Sequence, residues 1–155
     1  MATTAAGMTP EELARASAEV MWKEDRASQG LGISLDHVAP GEATLSMTVA
    51  EHMTNGHGIC HGGFIFTLSD SAFAFACNSY NQRVVAQHCA ITFIAPAYRG
   101  DRLTAEAREN CRFGRSGIYD IRVRRQDGTL IAEFRGHSRT VKGTLLPVPE
   151  EEKPA

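Results

Sequence analysis

The pattern of hydrophobic and polar positions predicts two helices and six strands. A helix begins at Thr9-Pro10, where threonine can cap the first turn, and is expected to end near Gln29-Gly30. A second, strongly apolar helix ends at Cys77. Apolar and polar residues alternate in most of the remaining segments, which predicts strands over 33–38, 43–49, 84–94, 103–108, 119–124 and 130–141.

The second helix is apolar on nearly every side, so we expect it to be buried. The strand over 84–94 is apolar on both faces, which favours a central position in a sheet. One buried helix with strands before and after it, and no alternating βαβ units, predicts an α+β fold. In that fold a curved antiparallel sheet wraps around the helix, and we expect a second copy of the chain to cover the side left open.

Composition favours a single globular domain over residues 1–155, with flexible tails at 1–9 and 143–155. A net charge of -2 and a pI near 6.3 argue against a nucleic-acid partner. No apolar run approaches the roughly 20 residues that cross a bilayer, and the start of the chain lacks the pattern of a signal peptide. The widely spaced cysteines favour reduced thiols and a cytoplasmic location; they are Cys60, Cys77, Cys89 and Cys111.

A carboxylate, Asp70, lies in the middle of the apolar helix. Phe66 and Phe73 share its helix face, and their rings would strip water from the carboxylate and raise its pKa. Such a group suits a general base or a nucleophile. The alternative is a structural role, in which Asp70 hydrogen-bonds a neighbouring element or faces solvent.

The loop over 55–63 is rich in glycine and histidine and leads into this helix. Glycines at a helix start leave backbone N–H groups bare, which attracts an anion or a developing oxyanion. Gly62 precedes Asp70 by eight residues, roughly 10–12 Å along one helix. A single carbonyl group cannot contact both, so we expect two chains to pack their helices antiparallel and form two composite sites.

The same loop contains His57, Cys60 and His61, whose spacing fits none of the common zinc frameworks, so no metal site is predicted. Cys60 is an alternative nucleophile, although its neighbour His61 is not placed by adjacency to act as its base. His61 is expected to brace the loop by hydrogen bonding. Asn55 either donates its amide to a substrate carbonyl or braces the turn.

Basic residues border the ends of the later strands, where they either hold phosphates or remain ordinary solvated charges. They are Arg112, Arg115, Arg139 and Lys142.

The chain resembles the hotdog-fold thioesterases of the phenylacetate-degradation (PaaI) type. The resemblance rests first on the ordered motifs of the loop and helix, Asn55-Gly56-His57 with Cys60-His61-Gly62-Gly63, and then 68–74 and 76–79. It extends through Gly117-Ile118-Tyr119-Asp120 and 134–138, and covers roughly residues 15 to 145.

The resemblance implies a hotdog fold, a homodimer and commonly a homotetramer. It also implies hydrolysis of phenylacetyl-CoA and its hydroxylated forms, without a cofactor, because CoA is part of the substrate. By position, Asp70 would be the catalytic carboxylate, the Gly62 amide would polarise the thioester carbonyl, and Asn55 would orient substrate or water. Residues implied in substrate binding are His61, Gly63, Arg112 and Arg115. Some relatives place a hydroxyl residue in the strand after the helix, but 85–88 contains neither Ser nor Thr.

Two other functions stay open at this point. A hotdog dehydratase or hydratase acting on acyl thioesters would need His57 or His61 as its general base. A non-catalytic acyl-CoA-binding module would bind the same esters without turnover, and replacing Asp70 would leave its function unchanged.

Overall fold

The computed structural model describes residues 5–149. The elements, in chain order, are α1 (Pro10–Glu24), α2 (Arg26–Gly30), β1 (Ser34–Ala39), β2 (Glu42–Thr48), a 3₁₀ turn (Glu51–Met53), α3 (Gly62–Cys77), β3 (Val84–Phe93), β4 (Arg102–Phe113), β5 (Ser116–Arg125) and β6 (Leu130–Thr140). All six predicted strands and the apolar helix are confirmed.

The first helix starts at the predicted cap but is shorter than predicted. Thr9 Oγ1 accepts a hydrogen bond from the Glu12 N–H, and the Glu12 carboxylate accepts one from the Thr9 N–H, which forms a capping box. The prediction of one helix running to Gly30 was wrong, because the chain breaks at Asp25. The carboxylate of Asp25 accepts from the N–H of Ser28 and from its hydroxyl, at 2.9 and 2.6 Å, and so caps α2 as a separate helix.

The six strands form one antiparallel sheet in the order β1-β2-β4-β5-β6-β3. Helix α3 packs mainly on β2, β4 and β5, where its buried side chains meet the alternating inward residues of those strands. Leu68, Phe73 and Phe75 are almost completely buried in this core. The prediction of an α+β fold with a sheet around one apolar helix is therefore confirmed.

Strand β3 is an edge strand, so the prediction of a central position was wrong. Within the described part of the chain it pairs with β6 alone, and most of its residues are exposed. Val85, Phe93 and the adjoining Ile94 are 49%, 51% and 55% exposed. An apolar strand at an open edge has the same hydrophobic pattern as a central strand, and pattern alone does not separate the two.

Residues 143–149, which we expected to belong to a disordered tail, pack against the domain. Asn81 Oδ1 accepts hydrogen bonds from the N–H groups of Leu145 and Leu146, at 3.1 and 2.7 Å, and Leu146 is buried. The outer parts of both predicted tails, 1–4 and 150–155, lie outside the described residues. No helix among the described residues is both long and apolar enough to cross a bilayer.

Candidate active site

The start of α3 presents one free backbone amide. His61 caps the helix, because its Nδ1 accepts a hydrogen bond from the Gly63 N–H at 3.0 Å. The carbonyl of His61 accepts from the Phe64 N–H at 3.1 Å. The N–H of Gly62 finds no acceptor among residues 5–149. Of the two glycines predicted to contact substrate, Gly62 therefore has a free donor, whereas the N–H of Gly63 is occupied.

Asn55 braces the loop and still has a free donor. Its Oδ1 accepts from the N–H groups of His57 and Ile59, at 3.0 and 3.4 Å, which stabilises the turn. Its side-chain nitrogen has no acceptor within the described part of the chain. The two roles considered for Asn55 are thus compatible, since the oxygen holds the turn while the amide N–H groups remain available.

Asn55 and Gly62 lie on the same cavity, which has a volume of about 390 Å³. Its other walls are mainly apolar and come from the loop, from α3 and from the segment after β3. Phe93 packs against Gly62 so closely that a methyl group at Gly62 would come within 2.6 Å of the ring. A cavity with apolar walls and a few fixed polar groups is typical of a site for a small ligand.

Cys60 also lines this cavity, but it is not an activated thiol. Burial raises the pKa of Cys60 to about 11, so the group is a neutral thiol at pH 7. The thiolate required of a nucleophile is therefore scarce. Neither His57 nor His61 lines the cavity.

Asp70 lies in the middle of α3, half-buried. Burial raises the pKa of its carboxyl group, as predicted from the phenylalanines around it. Its carboxylate accepts no hydrogen bond from the described residues, and its neighbours use their hydroxyls elsewhere. Ser69 donates to the Ile65 carbonyl and Ser71 bonds to Ser28. The structural role considered for Asp70 would need a hydrogen-bond partner, and residues 5–149 supply none.

Cys89, a half-buried residue on β3, is influenced by the charge of Asp70 and was not predicted as a site residue from the sequence. Burial, followed by the negative charge of Asp70, raises the pKa of the Cys89 thiol. The sequence position of Cys89 could have indicated it. Cys89 lies on the first strand after the helix, one residue beyond the stretch 85–88 that lacks a hydroxyl residue.

The predicted phosphate-binding arginines lie at the other end of the sheet. Gly62 contacts Phe93, which ends β3. Arg112 and Arg115 lie at the β4–β5 hairpin. This hairpin is at the opposite end of the sheet, where Ser116 pairs with Arg139 of β6. Arg112 makes an ion pair with Glu109 at 3.1 Å, and Arg115 forms none with a described residue.

The structure therefore brings Asn55 and Gly62 together, with His61 and Gly63 beside Gly62 at the helix start, and keeps Asp70, Arg112 and Arg115 apart from them within one chain. Asp70 lies eight residues along α3 from Gly62, which corresponds to about 12 Å. Within residues 5–149, no group of three His, Cys, Asp or Glu side chains is placed to hold a metal ion.

Comparison with known proteins decides the family. Residues 57–132 match the thioesterase superfamily, and this range contains most of the loop and all of α3. The acyl-coenzyme A thioesterase PaaI of Escherichia coli K12 is 41% identical over 129 residues, which are 83% of this chain and 92% of the relative. The chain belongs to the thioesterase superfamily.

Solved structures agree with this assignment. The E. coli PaaI protein from the phenylacetic acid degradation operon matches with a TM-score of 0.86 and 38% identity, over 91% of this chain and 100% of that one. A mutant of the phenylacetic acid degradation protein PaaI from Thermus thermophilus matches with a TM-score of 0.71 and 35% identity, over 74% and 97%. The resemblance to the PaaI type and the hotdog fold that it implied are confirmed, and the protein is a thioester hydrolase.

Proposed function

We propose that this thioesterase hydrolyses acyl-CoA thioesters with aromatic acyl groups of the phenylacetyl or hydroxyphenylacetyl type, at a site that two chains complete. The observation that carries the proposal is the pair of unused groups on α3. The Gly62 N–H is a free donor and Asp70 is a half-buried carboxylate without a hydrogen-bond partner in the described chain. At about 12 Å apart, they act on one thioester only if each comes from a different subunit.

The exposed edge of the sheet supports a dimer. Among residues 5–149 the outer backbone groups of β3 have no strand partner, and the strand exposes Val85 and Phe93, with Ile94 directly after it. A long apolar edge strand of this kind is a template for pairing with a second chain. A two-fold axis beside β3 would place the helix start of one chain near the middle of α3 in the other. The homotetramer and the cytoplasmic location remain predictions that extend this proposal.

The proposed chemistry uses the two groups in sequence. The Gly62 N–H, aided by the positive end of α3, donates to the thioester oxygen and stabilises the oxyanion as it forms. Asp70 of the other chain either attacks the carbonyl carbon, giving a mixed anhydride that water hydrolyses, or takes a proton from water that attacks. In both routes the C–S bond breaks and the CoA sulfur leaves as thiolate and is protonated. Water and the carboxylate suffice, so no cofactor is required.

The aromatic preference is supported by the PaaI relatives, of which the E. coli protein comes from a phenylacetic acid degradation operon. Apolar walls around Asn55 and Gly62, with the Phe93 ring among them, suit an aryl group.

The positions of the histidines argue against a dehydratase or hydratase, which would need one of them as its general base. Nδ1 of His61 is occupied by the helix cap, and His57 is exposed outside the cavity.

The test is thiol release, followed with a thiol-reactive dye, from a panel of aryl and fatty acyl-CoA esters. We expect the wild type to prefer phenylacetyl-type esters and Asp70→Asn to lose activity while it remains folded. Equal release by both proteins would contradict the role of Asp70. Release from fatty esters alone would contradict the aromatic preference, and binding without release would indicate the acyl-CoA-binding module.

A further inference from the structure

Two histidines lie side by side on the sheet, outside the candidate active site. In the antiparallel pairing of β3 with β6, His88 stands directly opposite His137. Their ring centres are 5.3 Å apart, and the ring planes are inclined to each other at 77°. His88 is exposed and His137 is half-buried, so a ligand from solvent can reach both imidazoles. Neither residue lines the cavity that contains Asn55 and Gly62.

His137 points to the outer face of the sheet, by which we mean the side away from α3. Its neighbours Phe134 and Gly136 mark the inner face. The Phe134 ring packs edge-on against Phe66 of α3, and a methyl group at Gly136 would come within 2.8 Å of the Phe73 ring. Because side chains alternate along a strand, His137, next to Gly136, faces the other way.

A bulge in β3 turns His88 to the same outer face. Ala86 pairs with Ser138 and His88 with His137, so β3 advances two residues while β6 advances one, and Gln87 is the extra residue. Ser138 is buried on the inner face, two residues from Gly136. In a regular strand His88 would share the side of Ala86, opposite Ser138. Bulges commonly redirect a side chain in this way.

The spacing of the two rings suits a metal ion held between them. An ion about 2.1 Å from an imidazole nitrogen lies about 3.2 Å from the ring centre, so rings 5.3 Å apart subtend about 110° at a shared ion. This is close to the tetrahedral angle, whereas the right angle of a square-planar site would need ring centres about 4.5 Å apart. Rotation about the soft Cβ–Cγ bond turns the nitrogens toward the ion and leaves the ring centres nearly in place.

The charges around the pair narrow the choice of metal. Arg135 and Arg139 flank His137 on the same face of β6. Arg135 is neutralised by Asp120, whose two oxygens accept hydrogen bonds from it at 2.7 and 3.0 Å, whereas Arg139 makes no ion pair with a described residue. Two imidazoles beside cationic side chains do not suit Ca²⁺ or Mg²⁺, which prefer oxygen ligands. Imidazole nitrogen is a preferred ligand of Zn²⁺, and Zn²⁺ is usually tetrahedral.

We propose that His88 and His137 bind a Zn²⁺ ion on the outer face of the sheet, with water in the remaining positions. The ion joins the edge strand β3 to β6. With two protein ligands it exchanges with solvent, unlike a structural zinc site, which has four. The site stays open if two chains pair along β3, because strand pairing uses backbone groups in the plane of the sheet and His88 stands out of that plane. The inference goes beyond the proposed function and does not depend on it.

The test is calorimetric titration of the full chain with ZnCl₂ in a buffer without chelators. We expect the wild type to bind about one ion per chain, and His88→Gln and His137→Gln each to weaken binding about tenfold or more, because each removes one of two ligands. Ca²⁺ and Mg²⁺ should not bind at the same concentrations. No Zn²⁺ binding by the wild type, or equal affinity in the wild type and both variants, would overturn the proposal.

Two control variants separate the pair from other zinc ligands. His37→Gln removes an exposed histidine from β1, the strand at the other edge of the sheet, and should leave the affinity unchanged. Cys111→Ser removes an exposed thiol, and it should also bind Zn²⁺ as the wild type does. Cys111 is separated from His137 by Ile118 of β5, roughly 10 Å across two strand spacings, which is too far to share the ion. Loss of binding in either control, with binding retained in the His88 and His137 variants, would overturn the proposal.

Nitrogen-15 NMR of the histidine rings locates the ion directly. We expect ring nitrogens of His88 and His137 to shift together as ZnCl₂ is added and to stop shifting at about one ion per chain, whereas those of His37 stay constant. This measurement uses the folded wild type, so it does not depend on how any variant folds. A shift of one of the two rings without the other would overturn the shared site.

Discussion

Gly62 lies directly against the ring of Phe93, so that a methyl group on its Cα would come within 2.6 Å of ring atom Cζ. Position 62, the first residue of α3, therefore requires glycine because the Phe93 ring leaves no space for a side chain beside the free N–H. Its backbone angles do not require glycine. Phe93 is half exposed, so we expect its ring to shift toward solvent and the chain to fold with alanine at position 62. The space in front of the N–H would then be filled by the displaced ring or by the new methyl group.

We expect Gly62→Ala to lower kcat/KM for the preferred ester about tenfold or more, with little change in thermal stability, because the oxyanion donor becomes obstructed. Adding Phe93→Leu should restore part of the activity by making room. The control is Gly56→Ala in the same loop, where an added methyl group meets nothing within 4 Å. Identical kinetics for the Gly56 and Gly62 variants would contradict this role of Gly62.

Mixed dimers test whether the two groups act from different chains. When Asp70→Asn and Gly62→Ala chains are co-expressed, a mixed dimer contains one site with an intact carboxylate and an intact amide. With random pairing, about a quarter of all sites are then restored, because half of the dimers are mixed and each has one such site. We expect activity well above that of either variant alone.

Two controls make this experiment decisive. Asp70→Asn co-expressed with the double variant Asp70→Asn/Gly62→Ala contains no intact carboxylate and should stay inactive. Purified mixed dimers, isolated with two different affinity tags, should carry the activity. Mixed dimers no more active than the parent variants would show that each site lies within one chain and would contradict the composite site.

The parts of the site that local sequence determines were predictable. The glycines, the capping His61 and the carboxylate at Asp70 lie on one continuous segment, and helical periodicity gives their spacing without any knowledge of the sheet. The direction of the Asp70 pKa shift followed from the apolar residues one turn away. The break of the first helix was missed because it depends on how one side chain, that of Asp25, folds back on Ser28.

Relationships between distant segments could not be predicted in the same way. The order of strands depends on which edges pair, and β3 lies at an edge although its composition suits the centre of a sheet. The Tyr80–Glu109 hydrogen bond joins residues 29 positions apart, and the contact of Asn81 with Leu146 joins residues 65 positions apart. No periodicity in the chain signals either contact, so both were visible only in the structure.

The charged form of Asp70 should lower the stability of the fold at the same pH at which it supports catalysis. Its folded-state pKa is raised by burial, so between the unfolded and the folded pKa the folded protein binds more protons than the unfolded chain. Stability therefore falls as the pH rises through this interval and stays lower above it. Activity requires the charged carboxylate and rises over the same interval.

We expect Asp70→Asn to lose activity and to unfold at a higher urea concentration than wild type near pH 7, since the amide carries no charge to desolvate. The difference should shrink as the pH is lowered and vanish below the ordinary carboxyl pKa of about 3.9, where Asp70 is neutral in both states. Urea unfolding of both proteins across this pH range measures the difference in stability.

Glu106→Gln, at an exposed position of β4, serves as the control for the loss of a carboxylate and should show no such stabilisation. A variant less stable than wild type at pH 7 would mean that the charged Asp70 has a partner that stabilises it, which would return the carboxylate to a structural role.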